Sequence, residues 1–331
     1  MLDAVPPFDR PTSAFSVVVP AFNEADGICA FHHRLADVME LLGTWEAIYV
    51  NDGSEDATLA TLQALRRADP HVAIVNLSRN FGKEIATTAG LDHAGGDAII
   101  VIDADLQDPP ELIPAMVAAW RQGFDTVYAQ RRARPGESLL KRATAALFYR
   151  MMRHAGQVEL PPNTGDFRLM SKRVVDAVRQ LREQHRFMKG VFAWVGFPSC
   201  AVAYDRAPRH AGTSKWNYWK LWNLALEGIT SFTVMPLKIA TYLGVFVALL
   251  AVVYAVEVVV KTLLFGNPVS GYPSLMTVVL FLGGVQLMTL GVIGEYLGRV
   301  FNETKQRPLY LVEAFAPSCV MPAPVEREKV G

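Results

Sequence analysis

The sequence predicts an α/β domain built on a doubly wound sheet, followed by two apolar helices long enough to span a membrane. Three observations carry that reading. Strand-like apolar runs alternate with helical stretches from Phe15 onward, the run Ala98-Ile-Ile-Val-Ile102 ends in the acidic turn Asp103-Ala-Asp105, and two long segments almost free of charge follow residue 236. Alternating strands and helices imply a parallel sheet covered on both faces, with ligands gathered at the carboxyl ends of its strands. Of the 331 residues, 51% are hydrophobic, more than a soluble domain of this size needs, and the surplus lies toward the C-terminal end.

Taken in order, Phe15-Ser-Val-Val-Val-Pro20 is the first strand, and the polar turn Ala21-Phe-Asn-Glu24 opens a helix running to about Leu42. Ala47 to Asp52 is the second strand, Gly53-Ser-Glu-Asp56 its turn and N-cap, and a helix spans Ala57 to Ala68. Val72 to Leu77 is the third strand, the Ala98 run the fourth, and Thr126 to Ala129 the fifth, after a helix that follows Pro109 and Pro110. The stretch from Arg121 to Arg153 is markedly basic, and Asn163-Thr-Gly-Asp-Phe-Arg168 reads as a polar turn with a helix from Ser171 onward. Arg206 to Trp216 is a second basic segment, rich in turn residues and suited to closing over phosphates.

From Lys215 to about Val234 the pattern is amphipathic, with Trp219, Trp222, Leu226 and Ile229 on one face, which suggests a helix lying in a membrane interface. The expected organisation is a tail over 1–14, an α/β domain over 15–214, an interfacial helix over 215–235, spanning helices over 236–300 (about 237–264 and 274–298) and a cytoplasmic C-terminal tail over 301–331, loose from Tyr310 on. Lys238 precedes the helices while Arg299, Lys305 and Arg307 follow them, so both ends are expected in the cytoplasm with a short loop outside.

Composition narrows the chemistry. With 32 basic and 32 acidic residues, global charge argues for no polyanionic partner. Cys29, Cys200 and Cys319 are too few and too scattered for a disulfide framework or a zinc site. The opening residues lack the apolar stretch of a signal peptide, and neither a Gly-x-Gly-x-x-Gly turn after the first strand nor a Walker A sequence occurs. The expected ligand edge instead holds Asn23, Glu24, Asp52, Arg79, Lys83, Asp103 and Asp105. Asp103 and Asp105 alternate, so persistent strand geometry would point both one way, and hard oxygen donors suit Mg²⁺ or Mn²⁺ bridging to a substrate's phosphates. Helix capping is the plain alternative for Glu24 and Asp52, and a local turn pair the alternative for Asp166 with Arg168.

Six segments together resemble a known family. Val18-Val-Pro-Ala-Phe-Asn-Glu24, Val50-Asn-Asp-Gly-Ser54, Leu77-Ser-Arg-Asn-Phe-Gly-Lys83, Asp103-Ala-Asp-Leu-Gln-Asp-Pro-Pro110, Asn163-Thr-Gly-Asp-Phe-Arg168 and Gly294-Glu-Tyr-Leu-Gly-Arg299 occur in order ahead of the hairpin. This is similar to family 2 glycosyltransferases of the polyprenyl-phosphate type, the dolichol-phosphate mannose synthases and bactoprenol glucosyl transferases. The resemblance implies a Rossmann-like GT-A domain in which Pro20, Asn23, Glu24 and Asp52 hold the uridine and Lys83, Arg131 and Arg168 contact substrate. It implies that Asp103, Asp105 and Gln107 handle a Mg²⁺ or Mn²⁺ ion. Arg209 and Lys215 match positions that hold the diphosphate and the lipid phosphate, and Asp166, with Asp105, is placed in catalysis as a base or as a group that orients the acceptor.

It further implies inverting transfer of glucose from UDP-glucose to undecaprenyl phosphate at the cytoplasmic face of a bacterial inner membrane, by a homotetramer, to supply glycan modification. Galactose, N-acetylglucosamine, aminoarabinose or mannose donors, and an inactive membrane scaffold, are the alternatives.

Overall fold

The structure is a computed structural model that describes residues 14–132, 161, 164–184, 186–205, 235–265 and 271–321. The chain begins with β1 (Phe15–Ala21), α1 (Ile28–Met39), β2 (Trp45–Asn51), α2 (Thr58–Ala68), β3 (Val72–Leu77), α3 (Lys83–His93) and β4 (Ala98–Val101). After a 3₁₀ turn at Pro110–Leu112 come α4 (Ile113–Arg121), β5 (Thr126–Arg131), β6 (Thr164–Ser171), α5 (Lys172–Gln180), α6 (Met188–Trp194) and β7 (Ser199–Tyr204). Two long helices, α7 (Met235–Phe265) and α8 (Tyr272–Thr304), precede a last strand, β8 (Val312–Ala316).

The eight strands among the described residues form one sheet, in the order β7-β5-β6-β4-β1-β2-β3-β8. Strands β1 to β4 pair in parallel, as their βα alternation dictates. The expectation of a wholly parallel sheet of five strands is corrected, because β6 runs antiparallel between β4 and β5, and β8 antiparallel to β3. Alternation along each strand divides the core into two layers. Phe15, Val17 and Val19 join Tyr49 and Trp120 beneath α1, α2 and α4, while Val18, Ile48 and Val50 meet α3, α5 and α6 on the other face. Helix α3 lies so close to the sheet that a Cβ on Gly90 would sit 2.3 Å from Val18 Cγ1.

Two further expectations need correction. Asn163 to Arg168 was expected as a turn, yet Thr164 to Arg168 belong to β6. The segment after Pro308 was expected to be loose, yet it returns to the sheet as β8. Tyr310 Oη donates to Asp92 Oδ2 at 2.8 Å, Asn76 Nδ2 to Glu313 Oε2 at 2.8 Å, and Ser318 Oγ to the buried Glu46 Oε2 at 2.9 Å. Helices α7 and α8 contain the two stretches long and apolar enough to cross a membrane, Leu237–Tyr254 and Phe281–Thr304. Their large apolar side chains, among them Phe246, Leu250, Val253 and Phe281, are exposed, as suits helices whose surroundings are lipid. The segments 133–160 and 206–234, with the expected interfacial helix and with Arg209 and Lys215, lie outside the described residues.

Candidate active site

The site is built at the carboxyl ends of β1, β2 and β4. The pairing of β4 with β6 runs Ala98 opposite Ser171 to Val101 opposite Arg168. Continued two residues beyond Val101, the same register sets Asp103 opposite Asp166. A single cation joins them: Lys83 Nζ, in the first turn of α3, lies 2.7 Å from Asp103 Oδ2 and 2.7 Å from Asp166 Oδ2. The second oxygen of each aspartate, Oδ1, is buried and has no hydrogen-bond partner among the described residues. Burial alone would raise the pKa of Asp166, but Lys83 and Lys189 more than offset it and hold the carboxyl down at about 2. Burial, followed by the charge of Asp166, pushes Glu84, the next residue of α3, up to about 7.

The loop ahead of α3 is set by Asp52. Its two carboxylate oxygens accept the N–H groups of Phe81 at 2.7 Å and Gly82 at 2.9 Å, with the side chain buried. Gly53 adopts φ +63° beside this loop, and a Cβ there would lie 2.4 Å from the backbone of Arg79 and Asn80. Across the site, Arg131 passes over Gly165, where a Cβ would meet its Nη2 at 2.8 Å. Arg131 Nε donates to Tyr204 Oη at 3.1 Å, and Tyr204 in turn donates to the buried Asp108. Arg168 is buried over the Phe192 ring at 3.9 Å and donates to the carbonyls of Asp166 and Gly165. Burial lowers it to about 10, so it stays charged at neutral pH.

The residues fit a hard divalent cation. Asp103 offers a buried, unpartnered oxygen, and Asp105 stands two residues on. Among the described residues no group of three or more His, Cys, Asp or Glu side chains converges, so any such ion would complete its shell with substrate phosphate and water, as Mg²⁺ commonly does.

The sequence matches glycosyl transferase family 2 over residues 16–179 and the GtrB C-terminal hairpin over residues 235–300. An uncharacterised glycosyltransferase of Synechocystis sp. is 55% identical over 91% of this chain and 95% of its own length. The bactoprenol glucosyl transferase of Shigella phage SfV is 50% identical over 90% of this chain and 97% of its own. The chain belongs to glycosyl transferase family 2. A distant likeness is the crystal structure of Mycobacterium tuberculosis glucosyl-3-phosphoglycerate synthase in complex with Mn²⁺, UDP-glucose and phosphoglyceric acid. It overlaps 66% of this chain and 78% of that one, at 20% identity and TM-score 0.44.

In this glycosyltransferase, Lys83, Asp103, Asp166 and Arg168 form one cluster, whereas the sequence reading sets Lys83 and Asp103 on the strand edge and Asp166 and Arg168 in a separate turn. The expected alignment of Asp103 with Asp105 along a strand does not hold, because β4 ends at Val101 and the chain turns, with Leu106 at φ +57°. Asp105 Oδ1 instead accepts the N–H of Gln107 at 3.1 Å, and the Gln107 side chain is buried. Asn23 and Glu24 lie on the loop after Ala21, which closes β1. There the Asn23 N–H donates to Ser54 Oγ at 3.0 Å and the Glu24 N–H to Thr58 Oγ1 at 2.9 Å. The alternative reading of Asp166 and Arg168 as a local turn pair is not what the structure shows: Lys83 takes the carboxylate, and Arg168 bonds the Asp166 main chain. Glu84, Lys189, Asp108 and Tyr204 were missed. Glu84 directly follows the Leu77–Lys83 segment and could have been found, whereas nothing in the local spacing marks Lys189.

Proposed function

We propose that this glycosyltransferase transfers glucose from UDP-glucose to a polyprenyl phosphate at the cytoplasmic membrane face, with inversion at the anomeric carbon. The observation that carries the reading is the Asp103–Lys83–Asp166 cluster joined in one chain to an apolar hairpin, in a protein half identical along nine-tenths of its length to a bactoprenol glucosyl transferase.

An oxygen of the acceptor's phosphate monoester attacks the anomeric carbon, and the bond to the nucleoside diphosphate breaks with its electron pair passing to the departing oxygen. Because the second pKa of a phosphate monoester is about 6, the nucleophile is largely dianionic at neutral pH and needs no strong base. Asp166, ionised and held by Lys83, acts by orienting the acceptor and balancing the cations around it. A Mg²⁺ or Mn²⁺ ion held by Asp103 and Asp105, with Gln107 beside them, would supply positive charge to the leaving diphosphate. Lys83, bridging two carboxylates, is placed to exchange one of them for a donor phosphate oxygen. Asn23, Glu24, Asp52 and Pro20 line the edge proposed for the uridine, Arg131 and Arg168 flank the phosphates, and Arg209 and Lys215 are proposed to close over them. Domain limits of 15–214, 215–235 and 236–300, and a homotetramer, belong to the same proposal.

The test is transfer of radiolabelled sugar from UDP-glucose, UDP-galactose, UDP-N-acetylglucosamine, UDP-aminoarabinose and GDP-mannose to undecaprenyl phosphate in detergent, with and without divalent metal. Lipid-soluble label from UDP-glucose that needs metal is expected. Label from another donor in preference overturns the choice of sugar, and label from none in a folded protein overturns the reaction.

A further inference from the structure

Helix α6 forms a wall of the site that the sequence motifs do not mention. Its Met188 N–H donates to Glu84 Oε2 at 2.9 Å, which ties the start of α6 to the start of α3. Met188, Val191 and Phe192 are buried, and Phe192 stacks under Arg168 at 3.9 Å. Lys189 is three residues before Phe192, so the two share a side of the helix, and Lys189 is carried beside the Arg168 and Asp166 end of β6. Its ammonium acts on Asp166 second only to Lys83 among the charges there, and also on Glu84.

The cations around Asp166 differ in how far they are committed. Lys83 is bound to two carboxylates, and Arg168 spends Nε and Nη2 on main-chain carbonyls beneath an aromatic ring. Lys189 is half-buried and, among the described residues, makes no side-chain hydrogen bond or ion pair. An ammonium that is partly desolvated, sits on a helix packed against Arg168 and Glu84, and has its donors uncommitted among the described residues is suited to hold an anion. The anion the reaction must bring past Asp166 and Glu84 is the acceptor's phosphate, and the ionised Asp166 repels it until a cation intervenes.

Resting on the polyprenyl-phosphate reading above, we propose that Lys189 binds the phosphate monoester of the acceptor, on a wall that the Glu84–Met188 tie holds in place. The donor's diphosphate is then served by Lys83 and the metal-binding aspartates, and the two phosphate groups enter with separate counter-ions.

The experiment uses the full chain in detergent. Farnesyl phosphate, a short acceptor, is titrated by calorimetry without donor into wild type, Lys189→Met and Lys189→Arg, with UDP titrated in parallel. Lys189→Met is expected to bind farnesyl phosphate about 10-fold more weakly or worse, with UDP binding and melting temperature unchanged, and Lys189→Arg to recover most of the loss. In transfer assays the acceptor KM should rise by a similar factor while the donor KM holds within about 2-fold. Unchanged farnesyl phosphate binding, or equal weakening of UDP, overturns the assignment of Lys189. So does a fall in kcat alone, because that places Lys189 on Asp166 instead of the acceptor. Wild type that binds no farnesyl phosphate overturns the lipid-acceptor reading itself, an outcome separate from the others.

Discussion

Lys83 faces two carboxylates across a half-exposed side chain, and each partner keeps one buried oxygen without a hydrogen bond among the described residues. Such a cluster is stable only while the cation remains or another replaces it. Asp166→Asn preserves the shape of the cluster and removes one of its charges, so kcat should fall by about 100-fold or more with little change in UDP affinity; activity within a few fold of wild type would remove Asp166 from the mechanism. Glu84 makes a pH prediction. Unfolded, it loses its proton near the ordinary 4.5, whereas folded it keeps it to about 7, so stability declines as pH rises between those values. Glu84→Gln still accepts the Met188 N–H but cannot ionise. Its melting temperature should therefore match wild type near pH 4.5 and exceed it at pH 8, and an equal offset at both pH values would show that ionisation is not the cause. The acidic turn at Asp103 was legible because an apolar run visibly delivers it. The partnership with Asp166 was not, since it depends on an antiparallel register between strands about 65 residues apart, which local spacing cannot display.

Among the elements, α3 carries the most. Its first residues, Lys83 and Glu84, hold the site, and near its end Asp92 accepts from Arg182 at 2.7 Å and from Tyr310 at 2.8 Å. One helix thus connects the Lys83–Asp103–Asp166 cluster to the segment returning from α8. The start of α3 depends on the Asp52 loop, and that loop depends on Gly53. Gly53→Ala adds strain at a positive φ and drives a Cβ into the Arg79 and Asn80 backbone, so a loss of about 2 kcal/mol or more is expected, together with weaker UDP binding, by thermal unfolding and calorimetry. Unchanged UDP binding would mean that the loop takes no part in donor recognition. Strands β1 to β5 were legible from their continuous apolar runs. Strand β6 was hidden by Gly165 and by the charges of Asp166 and Arg168, which face the site and break any apolar pattern. Strand β8, Val312-Glu-Ala-Phe-Ala316, is short, sits between prolines, and owes its conformation to the waiting edge of β3.

For the whole molecule, α7 and α8, with 31 and 33 residues, are each roughly 45–50 Å long, well over the ~30 Å hydrocarbon core. Helices of that length set across a bilayer would project beyond it, and the Gln184 N–H meets one end of α8 at Glu303, at 2.7 Å. The basic residues Lys238, Arg299, Lys305 and Arg307 predict that protease outside sealed inverted vesicles will digest the catalytic domain and spare the 266–271 link; the reverse pattern would invert the topology. The hairpin was legible because charge is nearly absent from it. That β8 lies beyond the hairpin in sequence has a consequence for biosynthesis. The edge of β3 is made by residue 77, but the strand that covers it begins at residue 312. At roughly 5–20 residues per second, translation leaves that edge open for roughly 10–50 s. For that interval the nascent chain offers a bare strand to its neighbours on the polysome. The ribosome finishes the catalytic sheet only after it has delivered both anchors.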